Sequence, residues 1–319
     1  MEFTTDYFSD IIEKGIASID YPAEPRGLYD PIRYTLEGGG KRLRPVLLMA
    51  TSAAYGLNPQ KVLSQALGIE LFHNFTLLHD DVMDNADVRR GRPAVHRRWN
   101  SSTAILSGDA MLTMATQMMT RSSVRLLPGV MYMFNRTAME IYQGQQYDMD
   151  FEERRDVTEG EYLEMIRLKT SVLLACACYL GALLAGAPAE DQKAMYRYGE
   201  KLGLAFQLRD DYLDTYGDPA IFGKEIGGDI INRKKTWLWI MASQRASKEL
   251  NDILDKRLSD HLLVEEVKGL YDLLGLPAES AALIDRYVQE AVESLPVALP
   301  ADAMNFFKNL ALNLSSRES

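Results

Sequence analysis

Apolar residues at helical spacing are the feature that most constrains the fold of this chain. Across residues 60–86 they recur three or four positions apart, at Leu63, Leu67, Leu71, Phe75, Leu78 and Val82. This spacing puts them on one face of a helix. Similar patterns predict helices at 4–18, 43–55, 101–121, 125–149, 159–185, 190–215, 237–256, 260–274, 278–294 and 301–314. No segment alternates as a strand would. We therefore predict an all-α fold, with one domain over residues 1–319 and ten or more helices around a central cavity.

Composition narrows the choice of partners and compartment. The net charge of −10 argues against nucleic acid or an anionic membrane as the main partner. Cys176 and Cys178 lie in one apolar run, which predicts buried thiols in a reducing cytosol rather than a zinc site or a disulfide framework. The N-terminal stretch MEFTTDYFSDIIEKG is acidic and amphipathic, unlike a signal peptide. We expect a cytoplasmic protein.

One segment is long enough to cross a bilayer. Residues 171–189, SVLLACACYLGALLAGAPA, carry no charge. They are rich in Ala and Gly rather than Leu and Ile, and the sequence has a single segment of this kind. We expect a helix buried inside the bundle and no transmembrane segment.

Two acidic motifs of the form D-D-x-x-D suggest a metal site. Asp80 and Asp84 share one face of a predicted helix, and Asp210 and Asp214 repeat the spacing. Like charges four residues apart destabilise a helix slightly, so a cationic partner is expected. Clustered carboxylates bind hard cations, and Mg²⁺ takes one or two carboxylates together with water and phosphate oxygens. We expect the two motifs to face each other across a cavity.

Clusters of basic residues alternate with the acidic motifs along the chain. They are Lys41, Arg42 and Arg44 after three glycines, Arg89, Arg90 and Arg92 after the first acidic motif, Lys169, and then Lys224, Lys234 and Lys235. The glycines permit a close approach of backbone to ligand, although the spacing differs from that of a P-loop. Arg binds phosphate oxygens in bidentate fashion. The alternation predicts a diphosphate ligand held partly by metal ions and partly by Arg and Lys.

Five ordered motifs resemble those of the trans-type isoprenyl diphosphate synthases. They are GGGKRLRP, LLHDDVMDNADVRRGRP, LKT, FQLRDDYLD and GKEIGGDIINRKKT, within residues 38–236. The resemblance implies the isoprenoid synthase fold, an all-α bundle around a substrate cavity, and a homodimer. It also implies Mg²⁺-dependent head-to-tail condensation of isopentenyl diphosphate with an allylic diphosphate (dimethylallyl, geranyl or farnesyl).

The resemblance assigns roles to individual residues. Up to three Mg²⁺ ions would be held by Asp80, Asp84, Asp210 and Asp214. Isopentenyl diphosphate would be bound by Lys41, Arg44, His73 and Arg90. The allylic diphosphate would be bound by Arg89, Lys169, Lys224 and Lys234. The catalytic set would be Lys169, Thr170 and Gln207, with Thr170 and Gln207 facing the reacting carbons.

The implied chemistry is ionisation followed by condensation. Diphosphate leaves, an allylic cation forms, and the double bond of isopentenyl diphosphate attacks it. In this family the departing diphosphate is thought to accept the proton that is lost. Two departures leave questions open. Many members carry a glycine where this chain has Arg233, so either Lys234 or Lys235 could reach the phosphate. The C-terminus, SSRES, lacks the basic end of some members, which leaves its role as a lid open.

Side chains that precede the first acidic motif should set the product length. In the family the blocking aromatic stands five positions before the motif, and sometimes four or eight. These positions are Phe75, Thr76 and Phe72 here. The family pattern favours Phe75, whereas helix geometry places Phe72 and Thr76 nearer the acidic face. One or two Phe residues would close the cavity early. We predict a product of fifteen or twenty carbons, with geranylgeranyl diphosphate favoured and farnesyl diphosphate as the alternative.

Other functions fit the motifs less well. A terpene cyclase would not need GGGKRLRP or a second D-D-x-x-D motif. An HD-type metal phosphohydrolase, suggested by His79-Asp80, would need further metal-binding histidines, and the chain has four His in all. A non-catalytic subunit of a heteromeric synthase would be expected to lose acidic or basic motifs, and all are kept here.

Overall fold

The structure is a computed structural model that describes residues 3–218 and 226–315. Its helices are α1 Thr5–Ala17, α2 Arg26–Leu36, α3 Leu43–Ala54, α4 Leu63–Met83, α5 Val95–Arg98, α6 Ser101–Thr120, α7 Leu127–Glu153, α8 Glu159–Ile166, α9 Val172–Leu184, α10 Ala189–Tyr216, α11 Gly228–Ile231, α12 Trp237–Arg245, α13 Ser247–Asp255, α14 Asp260–Leu273, α15 Leu276–Glu293 and α16 Ala301–Ser315. A 3₁₀ turn, Pro59–Val62, precedes α4, and a π-helical turn, Arg167–Ser171, joins α8 to α9. The predicted all-α fold is confirmed.

The chain divides into two compact units, each built from segments that are distant in sequence. Unit 1 comprises Met1–Arg136, Cys176–Tyr196 and Pro296–Ala303. In unit 1, α4 packs along α6, and α1 and α3 pack against α4. Capping residues start two of these helices: the Thr4 hydroxyl accepts the Tyr7 N–H at α1, and Asn100 accepts the Thr103 N–H at α6. The fully buried side chains include Phe8, Ile12, Leu47, Ile69 and Phe72.

Unit 2 comprises Thr137–Ala175, Arg197–Leu295 and Met304–Ser319. Here α12 packs against α8 and α15, and α14 packs against α11 and α13. Helix α8 begins with a capping box, in which Thr158 and Glu161 each bond to the other's backbone N–H. Tyr162, Leu202, Val267 and Leu276 are buried in this unit. The prediction of a single domain over 1–319 stays a prediction.

Several local features differ from the sequence prediction, and the π-helical turn interrupts the predicted helix 159–185. Helix α2 was not predicted because Pro31 lies inside it, yet α2 buries Ile32 and Leu36 and packs against α6. The predicted helix 237–256 is two helices, because Ala246 leaves the helical conformation. A two-stranded hairpin joins β1, Val88–Arg89, to β2, Arg92–Pro93. Strands of two residues are too short to show alternation.

Within the described residues, one helical segment is long and apolar enough to cross a membrane. It is Glu159–Leu184, and 72% of its most apolar window is buried inside the protein. This segment contains most of the apolar run that the sequence predicts to be a buried helix.

Candidate active site

The first acidic motif lies at the C-terminal end of α4. Asp80 occupies the last turn and Asp84 caps the helix, with the Asp84 N–H donating to the Asp80 carbonyl at 2.8 Å. A helix C-terminus carries partial negative charge, so carboxylates are unfavourable there unless a cation is near. The position of these two acids therefore favours a cationic ligand.

A hairpin holds the arginines that follow this motif. Arg90 and Gly91 both have positive φ, 51° and 71°, which defines a type I′ turn between β1 and β2. Arg89 donates from Nε to the Asp81 carboxylate at 2.9 Å, and its Nη2 donates to the same oxygen. Asp81 is buried, and breaking its ion pair with Arg89 would leave an uncompensated buried charge, so the pair is expected to persist. Asp81 thus orients Arg89 and is not assigned to a metal.

The glycine loop, residues 38–40, lies directly against the hairpin. Arg90 donates from Nη1 to the Gly39 carbonyl. A Cβ on Gly40 would come within 2.8 Å of the Arg90 guanidinium, and Gly40 has a φ of 132°. The backbone conformation therefore disfavours a side chain at Gly40, and the guanidinium of Arg90 would have to move to admit one.

Arg44 and His73 form a half-buried pair. Arg44 Nη1 lies 3.1 Å from His73 Nε2. Because a guanidinium only donates, His73 Nε2 accepts, so the imidazole is neutral with its proton on Nδ1. Burial, then Arg44 and Arg90, hold the pKa of His73 well below its ordinary value. Arg44 Nε is buried without a hydrogen-bond acceptor, which favours an anionic ligand at this position. Lys41, three residues before Arg44, is exposed.

The second acidic motif also lies at a helix C-terminus. Asp210 and Asp214 occupy the last two turns of α10, and the Asp214 carboxylate accepts the Asp229 N–H at 2.9 Å. Burial, together with the charges of Asp211, Asp214 and Asp210, raises the pKa of Asp229 to about 7. A cation bound here would relieve this repulsion among carboxylates.

The structure distinguishes Lys234 from Lys235. Lys234 Nζ is 3.8 Å from Asp229 Oδ1. Burial disfavours the charge of Lys234, but Asp229, Asp211 and Asp148 outweigh it and raise the pKa above its ordinary value. Lys235 instead donates to the backbone carbonyls of Glu152 and Arg233. Lys234, which lies beside the acidic cluster, is thus the better candidate of the two to contact a diphosphate there. The predicted ligand Lys224 lies outside the described residues.

Lys169 and Thr170 stand on the π-helical turn between α8 and α9. Lys169 Nζ donates to Asp148 Oδ2 at 2.6 Å. Gly144 of α7 allows this turn to approach, since a Cβ there would lie 2.3 Å from the Lys169 backbone nitrogen. Single π-helical turns occur often at functional sites. The tight contact at Gly144 sets the position of the Lys169 backbone.

Gly144→Ala is expected to displace the π-helical turn. The new methyl meets backbone atoms rather than a mobile side chain, so we expect a loss of about 1–3 kcal/mol in the free energy of unfolding and a large loss of activity. Thermal melting and steady-state kinetics measure the two effects. Gly129→Ala on the same helix is the control, because its Cβ would meet Leu183 at an ordinary 3.4 Å. Equal behaviour of the two variants would contradict the role of Gly144.

Thr170 and Gln207 belong to a hydrogen-bond chain that ends at a buried tyrosine. The Thr170 hydroxyl donates to Gln207 Oε1 at 2.9 Å, and Gln207 Nε2 donates to Asp211 Oδ1 at 2.8 Å. Tyr162 Oη donates to the other oxygen of Asp211 at 2.6 Å. Both oxygens of Asp211 thus accept from protein groups, which leaves Asp210 and Asp214 as the metal candidates of this motif. Because the Thr170 hydroxyl donates its proton to Gln207, the lone pairs of the Thr170 oxygen remain available to a cation.

The carboxylates of the two motifs fit a Mg²⁺ ion that is coordinated by the protein and a diphosphate together. Among residues 3–218 and 226–315, no three His, Cys, Asp or Glu side chains converge closely enough to hold a metal alone. Each motif instead offers a pair of carboxylates at the negative end of a helix. Mg²⁺ takes one or two carboxylates and completes its shell with water and phosphate. The residues present therefore fit a magnesium ion that binds together with substrate.

The three residues predicted to limit product length lie together on α4. Phe72 is fully buried and packs edge-on against Phe134 at a centroid distance of 5.3 Å. Phe75 lies 5.5 Å from Phe72 and 4.7 Å from the His79 ring, and it keeps 5% of its surface exposed. Thr76 is half-buried and donates its hydroxyl to the His73 carbonyl. Phe75 is thus the more accessible ring, and Phe72 supports it.

Several hydrogen-bond partners of the charged and polar residues described above were not predicted from the sequence. They are Glu70, Asn74, Asp81, Asp148, Tyr162 and Asp211. Asp81 and Asp211 stand inside the D-D-x-x-D motifs, so the motif itself was a signal for them. Asp148 and Tyr162 are distant in sequence from Lys169 and Asp211, and no spacing rule connects them.

Comparisons with known proteins agree on one family. A family model described as polyprenyl synthetase matches residues 25–274. A geranylgeranyl diphosphate synthase of Methanosarcina mazei is 40% identical over 300 residues, 92% of this chain and 91% of the relative. A short chain isoprenyl diphosphate synthase of Methanothermobacter thermautotrophicus is 35% identical over 98% of this chain and 97% of the relative. A geranylfarnesyl diphosphate synthase of Natronomonas pharaonis is 34% identical, covering 95% and 93%.

Solved structures are similar over nearly the whole chain. A geranylgeranyl pyrophosphate synthetase from Pyrococcus horikoshii has a TM-score of 0.92 at 30% identity, with 98% of this chain and 97% of that chain covered. A polyprenyl synthase from Caulobacter crescentus, complexed with calcium and isoprenyl diphosphate, has a TM-score of 0.87 at 27% identity, covering 99% and 98%.

Proposed function

This chain belongs to the polyprenyl synthetase family and is a short-chain prenyltransferase, and from this premise we propose that it is a Mg²⁺-dependent geranylgeranyl diphosphate synthase. The observation that carries the proposal is the recurrence of an acidic pair at two helix C-termini, each accompanied by Arg or Lys side chains. The substrates would be isopentenyl diphosphate and an allylic diphosphate.

The binding residues divide by substrate. Lys41, Arg44 and Arg90 would hold the diphosphate of isopentenyl diphosphate, with neutral His73 beside Arg44. Arg89, Lys169 and Lys234 would bind the allylic diphosphate, as would Lys224 outside the described residues. Asp80, Asp84, Asp210 and Asp214 would hold up to three Mg²⁺ ions. When bound, Mg²⁺ would neutralise charge on the diphosphate as the allylic C–O bond breaks.

The remaining chemistry concerns the allylic cation. Thr170 and Gln207 would present oxygen dipoles to it, and the bond from Thr170 to Gln207 orients both groups before substrate arrives. The double bond of isopentenyl diphosphate then forms the new carbon–carbon bond, and the proton released goes to the departing diphosphate. No protein carboxylate is required as base.

The aromatic residues before the first acidic motif support a twenty-carbon product. Phe75 and Phe72 form two successive barriers, and Thr76 leaves depth beside them. A relative named for geranylgeranyl diphosphate is 40% identical to this chain, and one named for geranylfarnesyl diphosphate is 34% identical. The proposed product length therefore depends on these side chains. Farnesyl diphosphate is the alternative product.

Phe75→Ala is expected to lengthen the product beyond twenty carbons, because it removes the ring that keeps some exposure. Phe72→Ala, which removes the fully buried supporting ring, is expected to lengthen it less. Mass spectrometry of the reaction products measures both. Phe8→Ala is the control, since Phe8 is equally buried but lies on α1. Unchanged products from both α4 variants would place the barrier elsewhere.

We also propose a cytoplasmic homodimer. Ile105 and Leu106 on α6 and Tyr132 on α7 are large apolar side chains of unit 1 that are 46–67% exposed. Exposed apolar side chains of this kind favour a second copy of the chain. Cys176 and Cys178 are buried thiols, which is consistent with a reducing compartment. Light scattering tests the dimer against the chain mass of 35.9 kDa.

One assay tests the proposed function. The purified chain is incubated with isopentenyl diphosphate and, in separate reactions, dimethylallyl, geranyl or farnesyl diphosphate, with Mg²⁺ or with EDTA. We expect geranylgeranyl diphosphate from each starter with Mg²⁺ and none with EDTA. Turnover that persists in EDTA, or products longer than twenty-five carbons, would contradict the proposal. An inactive chain would favour the role of non-catalytic subunit.

A further inference from the structure

One buried carboxylate lies among the cations of unit 1. Glu70 of α4 is 2% exposed, and its Oε1 accepts from Arg42 Nη1 at 2.7 Å and from Asn74 Nδ2 at 2.8 Å. Burial lowers the pKa of Arg44 and of Arg90 below the ordinary value, and the charge of Glu70 acts in the opposite direction on both. Glu70 therefore interacts with three arginines that would otherwise repel one another.

Arg42 is a structural residue and does not bind a ligand. It is 3% exposed, and its three guanidinium nitrogens donate to Glu13, to Glu70 and to the Leu36 carbonyl. It has a φ of 47°, at the position that starts α3. A non-glycine residue keeps this strained conformation only where its surroundings hold it. The bond to Glu70 thus fixes the backbone between Lys41 and Arg44.

Asn74 connects the same carboxylate to the hairpin. A carboxylate only accepts hydrogen bonds, so the Asn74 NH₂ faces Glu70 and its Oδ1 faces the other way. Arg90 Nη1 lies 3.5 Å from this Oδ1 and also donates to the Gly39 carbonyl. Glu70 therefore acts through Arg42 on the backbone that carries Lys41 and Arg44, and through Asn74 on the hairpin.

We propose that Glu70 is the positioning residue for isopentenyl diphosphate, joining Lys41 and Arg44 on one segment to Arg90 on another. Its carboxylate offsets their mutual repulsion while no diphosphate is bound, and Asn74 transmits its orientation to Arg90. The proposal rests on the proposed function and deepens it, because it explains how binding groups from separate segments are held at one site.

Two variants test the proposal by different routes. Glu70→Gln removes the charge, and we expect the KM for isopentenyl diphosphate to rise at least about tenfold. Asn74→Leu keeps the Arg42–Glu70 ion pair but removes the hydrogen bonds of Asn74 to Glu70 and to Arg90, and we expect a rise of about threefold to fivefold. In both variants the KM for the allylic diphosphate should change less than twofold. Glu70→Asp, which keeps the charge, should restore part of the affinity.

Gln65→Leu is the matched control for stability. Gln65 is also 2% exposed on α4, and it donates to Ser122 at 3.2 Å, apart from the cations. We expect it to lower the melting temperature without changing either KM. If Glu70→Gln and Asn74→Leu raise both KM values equally, or only lower the melting temperature as Gln65→Leu does, the proposal is wrong.

Calorimetric titration with isopentenyl diphosphate alone, without metal or allylic substrate, separates this proposal from the proposed function. A wild-type chain that binds isopentenyl diphosphate at least about ten times more tightly than Glu70→Gln supports the positioning role, even if turnover is absent and the proposed function fails. Equal affinity of the two chains, or no binding by the wild type, overturns it.

Discussion

Asp80→Asn is expected to lower kcat about a thousandfold, the effect of losing one preorganised electrostatic contact in a transition state. Asp80 lies with Asp84 at the negative end of α4, so the substitution also relieves repulsion. The melting temperature should therefore stay unchanged or rise while activity is lost. Steady-state kinetics at saturating substrate and Mg²⁺, together with thermal melting, measure the two changes.

Asp87→Asn is the matched control for this substitution. Asp87 follows the first acidic motif closely, its side chain is 80% exposed, and it pairs with Arg97 at 2.8 Å. Neutralising it changes the net charge by the same amount, yet kcat should stay within about twofold because an exposed pair contributes little. A kcat for Asp80→Asn within tenfold of the wild-type value would show that Asp80 is not a ligand of the catalytic metal ion.

Lys169→Met is expected to lower kcat by about a hundredfold to a thousandfold. The ammonium group of Lys169 is 2.6 Å from Asp148, on a backbone turn set by Gly144. Asp148 in turn acts on Asp211 and Lys234, so the loss of Lys169 leaves an uncompensated acid beside the second acidic motif. We expect lower stability as well as lower activity.

Two further variants separate these effects of Lys169. Lys201→Met removes an ion pair of the same 2.6 Å length, with Glu290, and Lys201 is 30% exposed compared with 25% for Lys169. It should leave kcat within about twofold. The double variant Lys169→Met/Asp148→Asn removes the uncompensated acid and should recover stability but not activity. Recovery of activity in the double variant would show that Lys169 only balances Asp148.

Sequence periodicity was sufficient for most helices but not for all. Helix α4 was predicted because its apolar residues repeat over many turns, and burial of that face dominates its stability. Helix α2 was not predicted because Pro31 disfavours a helix locally. The packing of α2 against α6, which stabilises the helix, is a long-range contact that sequence periodicity does not reveal. The break at Ala246 was missed because no Gly or Pro stands within residues 237–256 to mark it.

The candidate site was predicted as a set of motifs, without the contacts that orient them. The role of Arg42 illustrates the limit: it stands between Lys41 and Arg44 in one basic motif, yet it is buried against Glu13 and Glu70. Lys234 and Lys235 are adjacent and chemically identical in sequence, but one approaches Asp229 and the other bonds to backbone carbonyls. Neither distinction follows from residue type or spacing.

The sequence alone determined the helical class, the two acidic motifs and the basic residues that accompany them, because each is encoded in residues close together along the chain. The tertiary structure decided which charged groups contact other side chains of the protein. Asp81, Asp148 and Asp211 were assigned only there, since a hydrogen bond depends on the position of two groups in space. For Lys169 and Asp148, those groups come from segments 21 residues apart.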